Sequence, residues 1–221
     1  MSARFDNIGV MRDLLLRIKS ARPKSRGQSL VELAIVLGLL LYMMVAIVEY
    51  GFLLNRYLNL LDAAREAARF GSNVDPFDPQ THAIDPNFFV RPDLSQPPNS
   101  TTNQPGLADM VEDYMQPITL DPTRDDIVIS FFSVNGSNIV RFPTDAPTGW
   151  SRYGNAQSHF SDQDIINRLD ANAPATGVLV VEVFYTYHSL LHLPLFPETI
   201  SVYTYSIMPL SAAEPTPTAM P

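Results

Sequence analysis

An uninterrupted apolar segment near the N-terminus limits what this chain of 221 residues can fold into. It comprises the 16 residues 33–48, and as a helix it would cover about 24 Å. Apolar residues on both sides, at positions 30–31 and 50–54, extend it to the ~30 Å of a bilayer's hydrocarbon core. The pattern therefore predicts one membrane-spanning helix; the alternative is a buried core helix of a soluble protein.

Charge is distributed unevenly around this segment, and that distribution favours the membrane interpretation. Residues 1–27 carry seven basic side chains and two acids, whereas residues 71–221 carry five arginines and seventeen acids. Basic flanks remain in the cytoplasm during insertion, so we predict a cytoplasmic leader and an extracytoplasmic C-terminal part. Because the leader lacks interleaved aromatic residues and the remainder is acidic, no nucleic-acid partner is predicted.

The sequence shows no pattern typical of a catalytic, cofactor or metal site. Cysteine is absent, which excludes disulfides, thiolate zinc sites and thiol nucleophiles. His188 and His192 have a spacing that suits a metal only in a helix, yet the preceding residues alternate as in a strand. Asp121, Asp125 and Asp126 lack the spacing and glycine of an EF-hand, which favours a solvated turn over a calcium site.

Helical periodicity continues beyond the apolar segment. Apolar residues recur at three- and four-residue steps up to Phe70, and no proline intervenes before Pro76. We therefore predict a transmembrane helix and stalk over residues 28–71, preceded by a basic leader over 1–27. Gly71 is predicted to stop the helix in the left-handed conformation.

Several residues of this helix are candidates for packing or interfacial contacts. The small residues are Gly51, Ala63, Ala64, Ala67 and Ala68. The alanines indicate a face that packs on the chain's own sheet or on a neighbouring subunit; alanine's high helix propensity is the alternative explanation. Glu49 lies at the outer end of the apolar segment, where it would reach headgroups or Arg56, or make a dedicated assembly contact.

The remaining residues predict an α+β head with a small antiparallel sheet. Residues 72–106 are rich in proline and polar residues, as is typical of an irregular surface segment. The head is predicted over 107–210, with helices at 107–115 and 162–169, the second capped by Ser161. Four strands are predicted at 127–134, 139–142, 178–187 and 199–207, the first two as a hairpin. Residues 211–221 are predicted to be disordered.

Three motifs resemble one known family. They are Arg26-Gly27-Gln28-Ser29-Leu30-Val31-Glu32, Val48-Glu49-Tyr50-Gly51, and the alanine-rich stretch Leu61-Asp62-Ala63-Ala64-Arg65-Glu66-Ala67-Ala68-Arg69-Phe70-Gly71. Together they resemble the TadE-like proteins of tight-adherence pilus systems, which are relatives of type IV prepilins. The resemblance covers residues 25–71.

The resemblance implies a function in assembly. A prepilin peptidase would cleave between Gly27 and Gln28, and Glu32 would become the fifth mature residue and pair with a neighbouring subunit's new amino terminus. The expected protein is a non-enzymatic minor pseudopilin or assembly component without a cofactor, single-pass in a bacterial cytoplasmic (inner) membrane and in contact with lipid. Its partners would be the peptidase, other pilins or pseudopilins and the tight-adherence secretion machinery, acting in adhesion.

Two alternatives to this function remain open at the level of sequence. Glu32 would extend to the inner headgroups if the segment were a plain anchor. In that case the protein would be an uncleaved, single-pass binding or sensory module. An anchored hydrolase with a dispersed site is the other alternative.

Overall fold

The computed structural model describes residues 26–78, 80–81, 83–92, 104–135, 138–169, 176–194 and 196–210. The predicted disorder of residues 211–221 and nearly all of the predicted leader lie outside these residues. The chain divides into two compact units, with the boundary between Val48 and Glu49. We call the described residues from Glu49 onward the head unit.

Helix α1 spans Arg26–Gly71, which is 46 residues. The side chains of residues 27–48 are mostly exposed, including those of Ile35 and Ile47 at 68% and 69%. Within the described part of the chain, α1 alone is long and apolar enough to cross a membrane. Leucine, isoleucine and valine at this density need a hydrocarbon environment, because exposed apolar area is unfavourable in water.

Gly71 is the last residue of α1, but it does not have the predicted left-handed conformation. Its φ is not positive, since the positive-φ glycines among the described residues are Gly149 and Gly154. A Cβ at Gly71 would lie 2.6 Å from Leu107 Cδ2 and 2.8 Å from Leu179 Cδ2. The prediction of a left-handed stop is therefore wrong, and Gly71 instead packs closely on the side chains of Leu107 and Leu179 in the core.

The head unit contains an antiparallel sheet, which confirms the α+β prediction. Its strands, as far as the chain is described, are β1 Asp126–Asn135, β2 Asn138–Phe142, β3 Trp150–Ser151, β4 Thr176–His188 and β5 Thr199–Pro209. The order is β2-β1-β4-β5, and β3 pairs with β1. The hairpin predicted from β1 and β2 is present. Strand β3 was not predicted, because two residues are too few to show an alternating pattern.

Both faces of the sheet are covered by apolar side chains. One face carries Ile129 and Phe131 of β1 and Val181 of β4, which share a buried cluster with Leu60 of α1. The other face carries Phe132 and Val180, packed with Ile165 and other residues in a second cluster. This arrangement explains why β1 and β4 read as nearly continuous apolar runs in the sequence.

Two shorter helices complete the head unit. Helix α2 spans Leu107–Tyr114 and α3 spans Asp162–Arg168, each within one residue of its predicted end. Ser161 caps α3 as predicted, in a reciprocal arrangement with Asp164. Part of the segment that was predicted to be irregular surface is buried. A 3₁₀ helix spans Pro86–Phe88, and Phe88 and the following Phe89 lie in the core.

Candidate functional site

The predicted cleavage point lies in the first turn of α1. The helix begins at Arg26, so it includes both Gly27 and Gln28, and both residues are exposed. The sequence prediction had started the helix at residue 28. A Cβ built on Gly27 would have no neighbouring atom within 4 Å. No packing constraint within the described structure therefore requires glycine at position 27.

Glu32 lies one helical turn after Gln28. Its side chain is exposed, and its Oε1 accepts a hydrogen bond from Gln28 Nε2 at 3.3 Å. A glutamine amide is neutral and does not compensate the carboxylate's charge. In a hydrocarbon environment a carboxylate costs about 2.5–3.5 kcal/mol on insertion scales. The position therefore favours a cationic partner.

Glu49 is held by the loop between β4 and β5. It is 0% exposed. Its Oε1 accepts hydrogen bonds from the Tyr187 hydroxyl at 2.7 Å and from the Leu190 N–H at 2.9 Å, and its Oε2 accepts one from the Leu191 N–H at 2.9 Å. We call these four residues the Glu49 cluster. They connect two parts of the head unit that are about 140 residues apart in sequence.

The donors in this cluster match an ionised carboxylate. Burial raises the pKa of Tyr187 above its usual range, and its hydrogen bond to Glu49 raises it further. Tyr187 therefore remains protonated and donates its hydroxyl hydrogen throughout the physiological pH range. Hydrogen bonds to charged groups are stronger than neutral ones, so three of them can stabilise a buried carboxylate.

The structure shows neither of two contacts predicted for Glu49, those with headgroups and with Arg56, whereas a dedicated assembly contact stays a prediction. Because the side chain is fully buried, it does not extend to headgroups. Among the ion pairs of the described residues, none joins Glu49 to Arg56. Sequence reasoning missed the three partner residues. A single sequence carries no signal that links residue 49 to residues 187–191.

The four alanines of α1 lie in the core of the head unit. Ala63, Ala64, Ala67 and Ala68 are at most 1% exposed and belong to the cluster that includes β1 and β4. They therefore pack on the chain's own sheet, which was one of the two predicted partners. Gly51 is different, because it is exposed and a Cβ there would meet nothing within 4 Å.

We expect Ala67→Leu to lower the free energy of unfolding of the head unit by about 1–3 kcal/mol, because a larger side chain does not fit a filled core. Ala34→Leu is the matched control, since Ala34 is an exposed alanine of the same helix. Denaturant unfolding in detergent, followed by the fluorescence of the single Trp150, measures both. Equal midpoints for the two variants would contradict the buried position of Ala67.

The acids of the head organise its loops. Asp126, which is 0% exposed, accepts hydrogen bonds from Ser151 Oγ and from the N–H groups of Tyr153, Asn155 and Ala156. Asp125 accepts from the N–H of Thr186. No group of three or more His, Cys, Asp or Glu residues placed to hold a metal occurs in the described ranges. His188 ends β4, and His192 lies in the following loop with φ of 47°.

Comparison with protein families gives a match on the same part of the chain. The model of the TadE-like protein family matches residues 27–69. This segment is TadE-like. The resemblance predicted from the three motifs is therefore confirmed over α1. Neither the curated proteins nor the solved structures include a match to this chain.

The TadE-like segment begins at Gly27 and contains Gln28, Glu32, Glu49 and the four alanines. The family that it resembles belongs to tight-adherence pilus systems, and TadE-like pilus components are generally structural. Together with the apolar helix, it indicates a single-pass membrane anchor. Most of the head lies beyond the matched residues.

Proposed function

We propose that this protein is a minor pseudopilin or assembly component of a tight-adherence type pilus, without catalytic activity. Its leader is cytoplasmic and its head unit extracytoplasmic. A prepilin peptidase cleaves between Gly27 and Gln28, and the mature chain associates with other pilins or pseudopilins and with the secretion machinery. Gln28 as the first mature residue, where major pilins commonly have Phe, favours a minor component over the bulk filament subunit.

The observation that carries this proposal is the position of Glu32 in the TadE-like segment. Its carboxylate is exposed on an apolar helix, and its hydrogen bond within the described residues comes from a neutral amide. A permanent anchor gains nothing from such a residue, because the acid weakens insertion. In a subunit that binds a second chain in the membrane, the Glu32 carboxylate can form an ion pair with that chain.

Cleavage would supply the missing cation. Hydrolysis of the Gly27–Gln28 bond creates an α-amino group on Gln28, whose ordinary pKa of about 8 makes it mostly protonated at neutral pH. The amine of one subunit and Glu32 of its neighbour would then neutralise each other in the bilayer, and an ion pair in lipid is far more favourable than a lone carboxylate. Processing would in this way create the contact that assembly requires.

The head unit supports the same function through its attachment to α1. Buried alanines and the Glu49 cluster hold the second half of the helix on the sheet. The part of α1 from Glu49 onward is therefore built into the head, as expected of a pilin-like subunit.

We expect Glu32→Gln to reduce the amount of this protein in sheared surface pili severalfold, because the neutral amide cannot pair with a neighbour's amino terminus. The experiment requires a host with a complete tight-adherence system. Glu66→Gln is the matched control, since Glu66 is an exposed acid of the same helix. The cleaved fraction is measured in the same cells, so that a processing defect is distinguished from an assembly defect. Equal pilus-associated amounts of the Glu32→Gln variant and the wild type would contradict the proposed pairing.

A further inference from the structure

The loop between β4 and β5 has a composition unlike the rest of the acidic head. Its residues 189–197 contain no Asp, Glu, Lys or Arg, and its one charged residue, Glu198, directly precedes β5. The loop begins Ser189-Leu190-Leu191 and continues with further apolar residues. Leu190 and Leu191 are 52% and 41% exposed. Two adjacent exposed leucines in a loop are unfavourable in water and indicate a contact surface.

Glu49 fixes the position of this loop along α1. The N–H groups of Leu190 and Leu191 both donate to its carboxylate at 2.9 Å. Glu49 directly follows Val48, the last residue of the apolar segment. The backbone of the two exposed leucines is therefore bound to the helix residue that directly follows the apolar segment. The two hydrogen bonds hold the loop against the helix at this residue.

The helix surface beside the loop is also apolar and aromatic. Tyr50, Phe52 and Leu54 are between 43% and 60% exposed. An open groove of about 400 Å³ lies between this part of α1 and the start of β5, and its lining includes Tyr50, Leu54 and Tyr203. Exposed tyrosine and phenylalanine at this level are typical of the membrane–water interface.

We propose that the β4–β5 loop is a second membrane-contact element, in which Leu190 and Leu191 insert into the outer leaflet beside α1. The occupant is lipid, because the loop is bound to Glu49, which directly follows the apolar segment, and the exposed aromatic residues beside it are typical of a membrane–water interface. The one acid of the loop, Glu198, directly precedes β5, and the uncharged residues 189–197 fit this contact, since carboxylates are costly to bury in lipid. The head unit is then held to the membrane at two places, by its helix and by this loop.

Spin labelling of the full-length protein tests the proposal, and the absence of native cysteine allows single labels. Leu190→Cys and Leu191→Cys report on the loop. Ile47→Cys, at an exposed position in the apolar segment, is the lipid standard. Val140→Cys, at a position 39% exposed on β2, is the aqueous standard. Each protein is placed singly in nanodiscs of phosphatidylcholine, and Trp150 fluorescence verifies that the head remains folded.

The measured quantity is the collision rate of each label with oxygen, which concentrates in lipid, relative to a water-soluble nickel chelate. We expect this ratio at positions 190 and 191 to be severalfold higher than at position 140 and to approach that at position 47. A ratio equal to that at position 140 would overturn the proposal. Low accessibility to both reagents would overturn it as well, because that result indicates burial against protein.

Discussion

Replacing Glu49 with alanine is expected to lower the free energy of unfolding of the head unit by about 3 kcal/mol. The variant leaves the Tyr187 hydroxyl and the N–H groups of Leu190 and Leu191 without their acceptor. Unpaired buried donors cost about 1–3 kcal/mol each, and partial entry of water into the loop offsets part of that cost. Tyr187→Phe removes one hydrogen bond and is expected to cost about 1–2 kcal/mol.

The measurement is denaturant unfolding in detergent, followed by Trp150. This tryptophan stacks on Phe89 with ring centroids 4.9 Å apart, so its fluorescence reports on the core of the head unit. Glu66→Ala is the control, because it removes an exposed acid from the same helix. If the Glu49 and Glu66 variants unfold at the same denaturant concentration, Glu49 does not attach the loop to α1.

Replacing Gly27 with alanine is expected to slow processing by a prepilin peptidase ~10-fold or more, equivalent to about 1.4 kcal/mol of transition-state stabilisation. Gly27 lies in the first turn of α1, and cleavage requires this turn to open into an extended strand in the protease cleft. Alanine favours the helix by about 1 kcal/mol relative to glycine and adds a Cβ that the cleft must accommodate. Both effects oppose cleavage.

Gly38→Ala is the matched control for this prediction. Gly38 lies in the same helix, and a Cβ at either glycine would have no neighbour within 4 Å. Both variants should therefore fold and insert equally well, so a difference in cleavage reports on the peptidase alone. The ratio of precursor to mature protein, followed over time by gel electrophoresis, gives the rates. Equal rates would show that Gly27 is not a recognition residue.

Local sequence patterns predicted the elements whose residues act locally. The apolar segment, its continuation to residue 71 and the four longer strands follow from periodicity and composition, and α3 follows from its Ser161 cap. The TadE-like segment could be recognised because its motifs are contiguous in α1. The packing role of the alanines was also predictable, since small residues at helical spacing allow another element to approach closely.

Properties that depend on distant residues could not be predicted. Gly71 was assigned to a left-handed stop because a helix-ending glycine usually has that role, whereas here it is helical and packs closely on Leu107 and Leu179. A contact of Glu49 with headgroups was one of the predictions because it follows an apolar segment, yet the N–H groups of residues 190 and 191 donate to its buried carboxylate. In both cases the deciding contact comes from a different part of the head unit.

The central claim is that Gln28 becomes the N-terminus of the mature protein. The direct measurement is intact-mass and N-terminal peptide analysis of the wild-type protein, produced with an active prepilin peptidase and, separately, with an inactive one. We predict that the active enzyme yields a chain that starts at Gln28 and that the inactive enzyme yields only the precursor. Retention of residues 1–27 in the presence of the active peptidase would contradict the claim and would favour an uncleaved membrane-anchored module.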